Sequence, residues 1–269
     1  MTGAPAPGRW DDLRPRVVSA IVMIAVGAAE IWLGGPSFAV LVILLTAAMV
    51  WELATITAPA RRNTPLTMAA IGAVSLAGAI WLPGEASPVL LLAPALALAL
   101  TPRRDRRLTA AWAAAVMVAG FGLVELRNGA GTPAILWLVL VVIASDVAGY
   151  FVGRTVGGPK FWPRISPKKT WSGTVAGWVA AALVGAGFAL GGWASWALVA
   201  LSPVIALAGQ MGDIGESWLK RRAGVKDSSA LIPGHGGLLD RFDALTGAAV
   251  AVMALGLIAA LPLPVTGGN

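Results

Sequence analysis

In the 32 residues from Gly212 to Asp243 lie ten charged side chains and the only histidine of a chain whose charged residues average 12%. On a helix, Asp213, Glu216, Ser217 and Lys220 fall at i, i+3, i+4 and i+7, so two carboxylates, a hydroxyl and an ammonium share one face. Asp240 and Asp243 repeat the i, i+3 spacing. Carboxylates this close repel one another unless a cation lies between them. Magnesium suits the position, because it takes oxygen ligands and is commonly held by one or two carboxylates together with substrate phosphates. Asp213 and Asp240 are the expected metal ligands, since each opens its cluster beside an apolar run.

Between the clusters, Pro233-Gly234-His235-Gly236-Gly237 sets three glycines around the histidine. Glycine permits positive φ and close backbone approach, so amides in such a turn can converge on an oxyanion. Lys220, Arg221, Lys226 and Arg241 supply positive charge of the kind that clamps a phosphate chain. A second polar segment, 146–171, carries Asp146, Tyr150, Arg154 and the run Ser166-Pro167-Lys168-Lys169-Thr170 just ahead of an apolar stretch. Cations and helix-start amides at that level suit a lipid phosphate. Phosphoryl and nucleotidyl transfer depend mainly on positioning and charge neutralisation, which this inventory can provide.

The elements that hold these residues lie in a bilayer. At 57% hydrophobic over 269 residues, the composition is far from that of a soluble domain. A spanning helix needs roughly 17 to 25 mostly apolar residues, with every backbone polar group satisfied internally. About nine stretches qualify or nearly do: 17–33, 37–57, 66–82, 87–101, 109–126, 133–152, 172–190, 193–211 and 245–264, the fourth being short and interrupted by Pro94. The expected architecture is an all-α, polytopic integral membrane protein with a cytoplasmic N-terminus. Residues 1–16 read as a loose cytoplasmic arm, 17–130 as transmembrane scaffold, and 131–269 as the catalytic region with polar segments 146–171 and 212–243.

With that topology, 19 of the 20 lysines and arginines, including Arg9, Arg61 and Arg62, fall on the cytoplasmic side and only Arg127 lies outside. The first apolar run fits a secretory signal poorly. The net charge of +7 is scattered over short segments, which argues for anionic headgroups and against nucleic acid as partner. Without cysteine there is no disulfide, thiolate metal site or thiol nucleophile. The 12 tryptophans sit mostly near span ends, as an interfacial belt does.

The polar positions also resemble a known family. Ser217-x-Leu219-Lys220-Arg221, Lys226-Asp227 and Pro233-x-His235-Gly236-Gly237-x-x-Asp240-Arg241-x-Asp243 look like the signature of phosphatidate cytidylyltransferases, the CDP-diacylglycerol synthases. Gly212-Asp213-x-x-Glu216-Ser217 and Ser166-Pro167-Lys168-Lys169-Thr170 are similar to that family as well, whereas Ser172 stands where its members often carry an acid or amide. The resemblance covers residues 140–250 closely. It implies transfer of CMP from CTP to phosphatidic acid, giving CDP-diacylglycerol and pyrophosphate with Mg2+ and room for a second cation. Carried over by position, Asp213 and Asp240 would hold metal, and Lys226 and Asp227 would join them in catalysis. Ser217, Lys220, Arg221, His235, Gly236, Gly237, Arg241 and Asp243 would bind the nucleotide, and Ser166, Lys168, Lys169 and Thr170 would contact phosphate. The implied setting is the cytoplasmic face of the cell inner membrane, with a homodimer left open.

Plainer roles compete for several residues. His235 serves equally well as a structural hydrogen-bonding group, and Lys168 and Lys169 as topogenic charges. Glu30 and Glu52, near span ends, are expected to be structural, whereas Asp146, one helical turn before Tyr150, is expected to be functional. A CTP-dependent kinase of polyprenol or another lipid alcohol would use comparable parts but needs a base for its hydroxyl acceptor. A transporter predicts inverted repeats and broken helices in matched halves, and neither is found.

Overall fold

The structure is a computed structural model describing residues 13–58, 63–84 and 87–264. It is all-α apart from one small hairpin. The helices are α1 Leu13–Leu33, α2 Gly35–Thr57, α3 Thr64–Trp81, α4 Ala93–Leu100, α5 Arg106–Gly129, α6 Thr132–Thr155, α7 Trp171–Leu190, α8 Ala197–Ala223 and α9 Leu239–Gly256. Seven of them, α1 to α3 and α5 to α8, are long and apolar enough to cross a membrane. Arg9, Arg61 and Arg62 of the charge asymmetry, and most of the 1–16 arm, lie outside the described residues.

The fourth and ninth spans depart from expectation, and prolines lie in or beyond both. The fourth is a 3-10 turn, Ser87–Leu92, running into the short α4, with Pro94 in the first turn of that helix. A 3-10 turn rises about 2.0 Å per residue against about 1.5 Å for α-helix, which lengthens a segment otherwise too short. The ninth begins six residues earlier than expected, at Leu239, and ends at Gly256 instead of reaching 264. Pro262 and Pro264 lack the amide a continuing helix needs. Asp240 and Asp243 therefore stand in the first turns of α9 and not ahead of it.

Cross-links sort the helix ends. Arg104 N donates to Thr57 O at 3.1 Å, tying the end of α2 to the α4–α5 link. Arg222 at the end of α8 grips Asp105 at the start of α5 with two hydrogen bonds of 2.8 and 2.6 Å. At the opposite end, Arg127 donates to the carbonyls of Ile31 and Trp32 at 2.8 and 3.2 Å. Both polar segments belong to the first of these ends, because Lys169 of one meets Asp213 of the other.

Small residues let α8 and α9 pack closely. A Cβ on Gly247 would stand 3.0 Å from Gly212 N, so neither glycine has room for a side chain. The α7–α8 turn falls at Gly191-Gly192, as expected, with Gly192 at φ +75°. Deeper in the bundle, the fully buried Trp137 of α6 donates its indole N–H to Ser202 Oγ of α8 at 2.9 Å.

Candidate active site

At the polar end a cavity of about 860 Å3 opens between α6, the hairpin and the α8–α9 pair. That is within the size range of small-molecule sites. The hairpin pairs β1, Lys160–Trp162, with β2, Ser166–Thr170, in antiparallel fashion. It delivers the chain into α7 at Thr170, whose Oγ1 caps that helix by accepting from Gly173 N at 3.2 Å. Arg154 on α6 and Lys160, Lys168 and Lys169 on the hairpin form one wall, with the Arg154 guanidinium donating to the Tyr150 hydroxyl at 2.6 Å. Since a guanidinium only donates, the Tyr150 oxygen accepts there.

Asp146, Asp213, Asp240 and Asp243 line the same cavity. The two clusters separated by 27 residues in sequence thus meet at one opening, as the helical spacing required. Asp213 pairs with Lys169 at 2.5 Å and receives Ser217 Oγ at 3.4 Å, so it keeps free lone pairs. Asp243 Oδ1 accepts from the amide of Ala244 at 2.7 Å. The floor is Gln210, which accepts from Trp178 Nε1 at 3.0 Å and donates to Ser145 Oγ and Thr174 O at 3.1 and 3.3 Å.

Asp240 is far more engaged. Its Oδ1 is paired with Lys220, and its Oδ2 accepts from Ser228 N, Ser228 Oγ and Gly237 N, each at 2.9 Å. Lys220 also meets Glu216 at 2.7 Å, and Glu216 is fully buried with its other oxygen unpartnered. Lys220 therefore pairs with two carboxylates behind the cavity wall and is not among the groups that line it. Among the described residues, no three carboxylate or imidazole groups converge closely enough to enclose a metal by themselves.

The glycine turn takes the expected left-handed geometry, with Gly234 at φ +75° and Gly236 at φ +86°. Its amides, however, close on the protein itself. His235 N and Gly236 N donate to Ile232 O at 2.9 and 3.1 Å, and Gly237 N goes to Asp240. His235 Nδ1 lies 2.8 Å from Ser19 Oγ of α1, and Arg241 Nε donates to His235 O at 2.9 Å. Arg221, Lys226 and Asp227 are exposed where α8 ends and the following loop begins. Of the residues singled out from sequence, the cavity is lined by Asp146, Tyr150, Arg154, Pro167, Lys168, Lys169, Thr170, Asp213, Asp240 and Asp243; Ser166, Ser217, Lys220, Arg221, Lys226, Asp227, His235, Gly236, Gly237 and Arg241 are not among its lining residues.

Three participants were not visible as such in the sequence: Ser228, Ser229 and Glu52. An acid inside an apolar span is itself a signal. Its partners, though, lie more than 170 positions away, and nothing local names them.

A membrane-embedded bundle carrying an acidic and a cationic wall around one cavity is a setting for transfer chemistry on phosphates. The model of the cytidylyltransferase family matches residues 14–259, and the chain belongs to that family of nucleotidyltransferase enzymes. A phosphatidate cytidylyltransferase of Brucella suis is 35% identical over 265 residues, covering 93% of this chain and 96% of the relative. Proteins of the same name from Helicobacter pylori and Staphylococcus saprophyticus are 42% and 41% identical over 137 and 127 residues, covering about half of each chain.

Proposed function

We propose that this enzyme transfers CMP from CTP to phosphatidic acid at the cytoplasmic face of the cell inner membrane. The observation that carries the proposal is the single cavity in which Asp146, Asp213, Asp240 and Asp243 face Arg154, Lys160, Lys168 and Lys169 at one end of the spans. The near-full-length likeness to a phosphatidate cytidylyltransferase supports the choice of lipid. The one-sided distribution of basic residues supports the orientation.

In the reaction, an oxygen of the phosphatidate monoester bonds to the α-phosphorus of CTP. The bond from that phosphorus to the bridging oxygen breaks, and pyrophosphate leaves with the electron pair. The acceptor is already ionised, so no general base is assigned. Arg154, Lys160, Lys168 and Lys169 gather the phosphates of the two substrates against their mutual repulsion. Lys220 and Glu216 hold Asp240 in place, while Ser217 and Lys169 orient Asp213.

The residues fit Mg2+. Asp213 has unused acceptor capacity, Asp240 offers what remains on Oδ1, and the pair is few enough to leave places for substrate phosphates. Bound there, Mg2+ would neutralise the triphosphate and polarise its α-phosphorus. Asp243 and Asp146, on the same cavity, are the candidates for a second cation.

Magnesium-dependent pyrophosphate release from CTP with phosphatidic acid, measured for the purified protein and for Asp240→Asn, tests the proposal. CDP-lipid as product is expected. Phosphorylated lipid would instead indicate a kinase, and equal turnover in both proteins would remove Asp240 from the site. Molecular mass in detergent tests the homodimer.

A further inference from the structure

Glu52 is fully buried near the end of α2, in the half of the chain that otherwise reads as scaffold. Its two oxygens divide four donors evenly. Oε1 accepts from Ser229 Oγ at 2.5 Å and from Leu238 N at 2.9 Å. Oε2 accepts from Ser228 Oγ at 3.1 Å and from Leu239 N at 2.6 Å. Each oxygen thus takes one hydroxyl and one backbone amide, and none of these four donors is a cation.

Those two amides open α9. The residue before that helix, Leu238, has no side chain able to cap it. The first amides of a helix have no partner within it, and their dipoles favour an anion. Glu52 therefore caps α9 from another helix, across 186 and 187 residues of chain.

The same carboxylate reaches the catalytic wall through Ser228, whose hydroxyl lies within hydrogen-bonding distance of both Glu52 Oε2 and Asp240 Oδ2. Its one proton is shared between the two acids. Gly237 is required by the same arrangement: a Cβ there would come within 2.5 Å of Glu52 Oε1. The loop after α8, the glycine turn and the first turn of α9 thus all close on one buried charge.

We infer that Glu52 is a positioning residue for nucleotidyl transfer, holding the first turn of α9, and with it Asp240 and Asp243, in place from α2. The inference rests on the proposed reaction for its kinetic consequence, but not for its structural one.

The substitution Glu52→Gln separates charge and acceptor capacity from size. A carboxamide satisfies one hydroxyl–amide pair with its oxygen and turns an NH2 donor toward the other. Misplacement of reacting groups by about 1 Å costs on the order of 100-fold, and that is the fall expected in kcat. KM for phosphatidic acid should stay within about twofold, because the cationic wall makes no contact with Glu52. Glu52→Asp keeps the charge on a shorter arm and should recover part of the loss. Ser229→Ala removes one donor and should lower kcat by only a few fold, about one hydrogen bond's worth.

Hydrogen exchange of the intact proteins in detergent supplies the second readout. Amides in 226–243 should exchange faster in Glu52→Gln, with those of α6 and α7 unchanged. Wild-type kcat in Glu52→Gln, or unchanged exchange in 226–243, would overturn the inference. Absence of CDP-lipid formation by the wild type would remove the proposed reaction, while the exchange comparison would still decide whether Glu52 holds the segment.

Discussion

The two walls of the cavity are built on opposite plans. On the α8–α9 side, Glu216, Lys220, Asp240, Ser228 and Glu52 form one chain of contacts in which nearly every oxygen is satisfied by protein. On the hairpin side, Lys160 and Lys168 are exposed, and Arg154 is held by one hydrogen bond to Tyr150. The difference separates two tasks. Groups that must be in position before charge develops are preorganised by buried partners, and groups that collect an incoming polyanion stay solvated until it arrives. Lys169 stands at the junction, paired with Asp213 from the far wall.

Substitutions can break or sharpen this contrast. The largest effect is expected from Lys220→Met, which strands the buried Glu216 and removes the partner of Asp240. Breaking a buried ion pair from one side costs roughly 3–5 kcal/mol, so thermal unfolding in detergent should show a large loss of stability together with loss of turnover. A wild-type melting curve would show that the preorganised wall is not held by this lysine.

Next comes Asp213→Asn, which leaves the buried network untouched. Turnover should fall by about 10²- to 10³-fold, the scale for one preorganised electrostatic contact, while the melting temperature holds. The magnesium concentration giving half-maximal rate should rise. Gly237→Ala follows: with a methyl group forced against Glu52 and Ser228, destabilisation of roughly 1–3 kcal/mol is expected, the usual range for overpacking. Denaturant or thermal titration reads it directly.

On the open wall, Arg154→Ala should act on substrate capture. A rise in KM for phosphatidic acid of about tenfold, equivalent to 1.4 kcal/mol, is expected with kcat nearly unchanged. A fall in kcat alone would move Arg154 to the preorganised side.

The smallest effect is predicted for Asp105→Asn, outside both walls. The hydrogen bond from Arg222 holds the Asp105 carboxyl below its ordinary value of 3.8, against a weaker opposing effect of desolvation. A lowered folded-state pKa means that the stabilisation is present above the unfolded value and is lost as pH falls through the folded one. That contribution is thus present near neutral pH and absent in Asp105→Asn, so the melting temperature should fall slightly, as for other exposed ion pairs, with turnover unchanged, and the two melting curves should converge as pH falls.

Much of this was legible before any coordinates. Apolar run lengths marked α1 to α3 and α5 to α8, because a backbone in lipid has few ways to satisfy its polar groups. Helical spacing put Asp213, Ser217, Glu216 and Lys220 on one face of α8, and the structure pairs Ser217 with Asp213 and Lys220 with Glu216. The glycine turn was legible as a left-handed loop, but the destination of its amides was not. Two of the oxyanions they and their neighbours meet are the protein's own, Asp240 and Glu52. Hydrophobicity alone carries the ninth span onward to 264, whereas α9 ends at Gly256, ahead of Pro262 and Pro264, which bar a helix however apolar its surroundings.

The amino-acid sequence by itself determined that the chain is a bundle of membrane-spanning helices with acids, cations and a glycine turn at one end, since hydropathy and helical periodicity act over a few turns. Tertiary structure alone decided which acids are free and which are consumed as framework. Asp213 keeps lone pairs for a ligand, whereas Glu52 spends all four acceptor contacts on a loop and a helix start from the far half of the chain. The reason is that a buried carboxylate takes its role from the donors that surround it, and only folding brings those donors near.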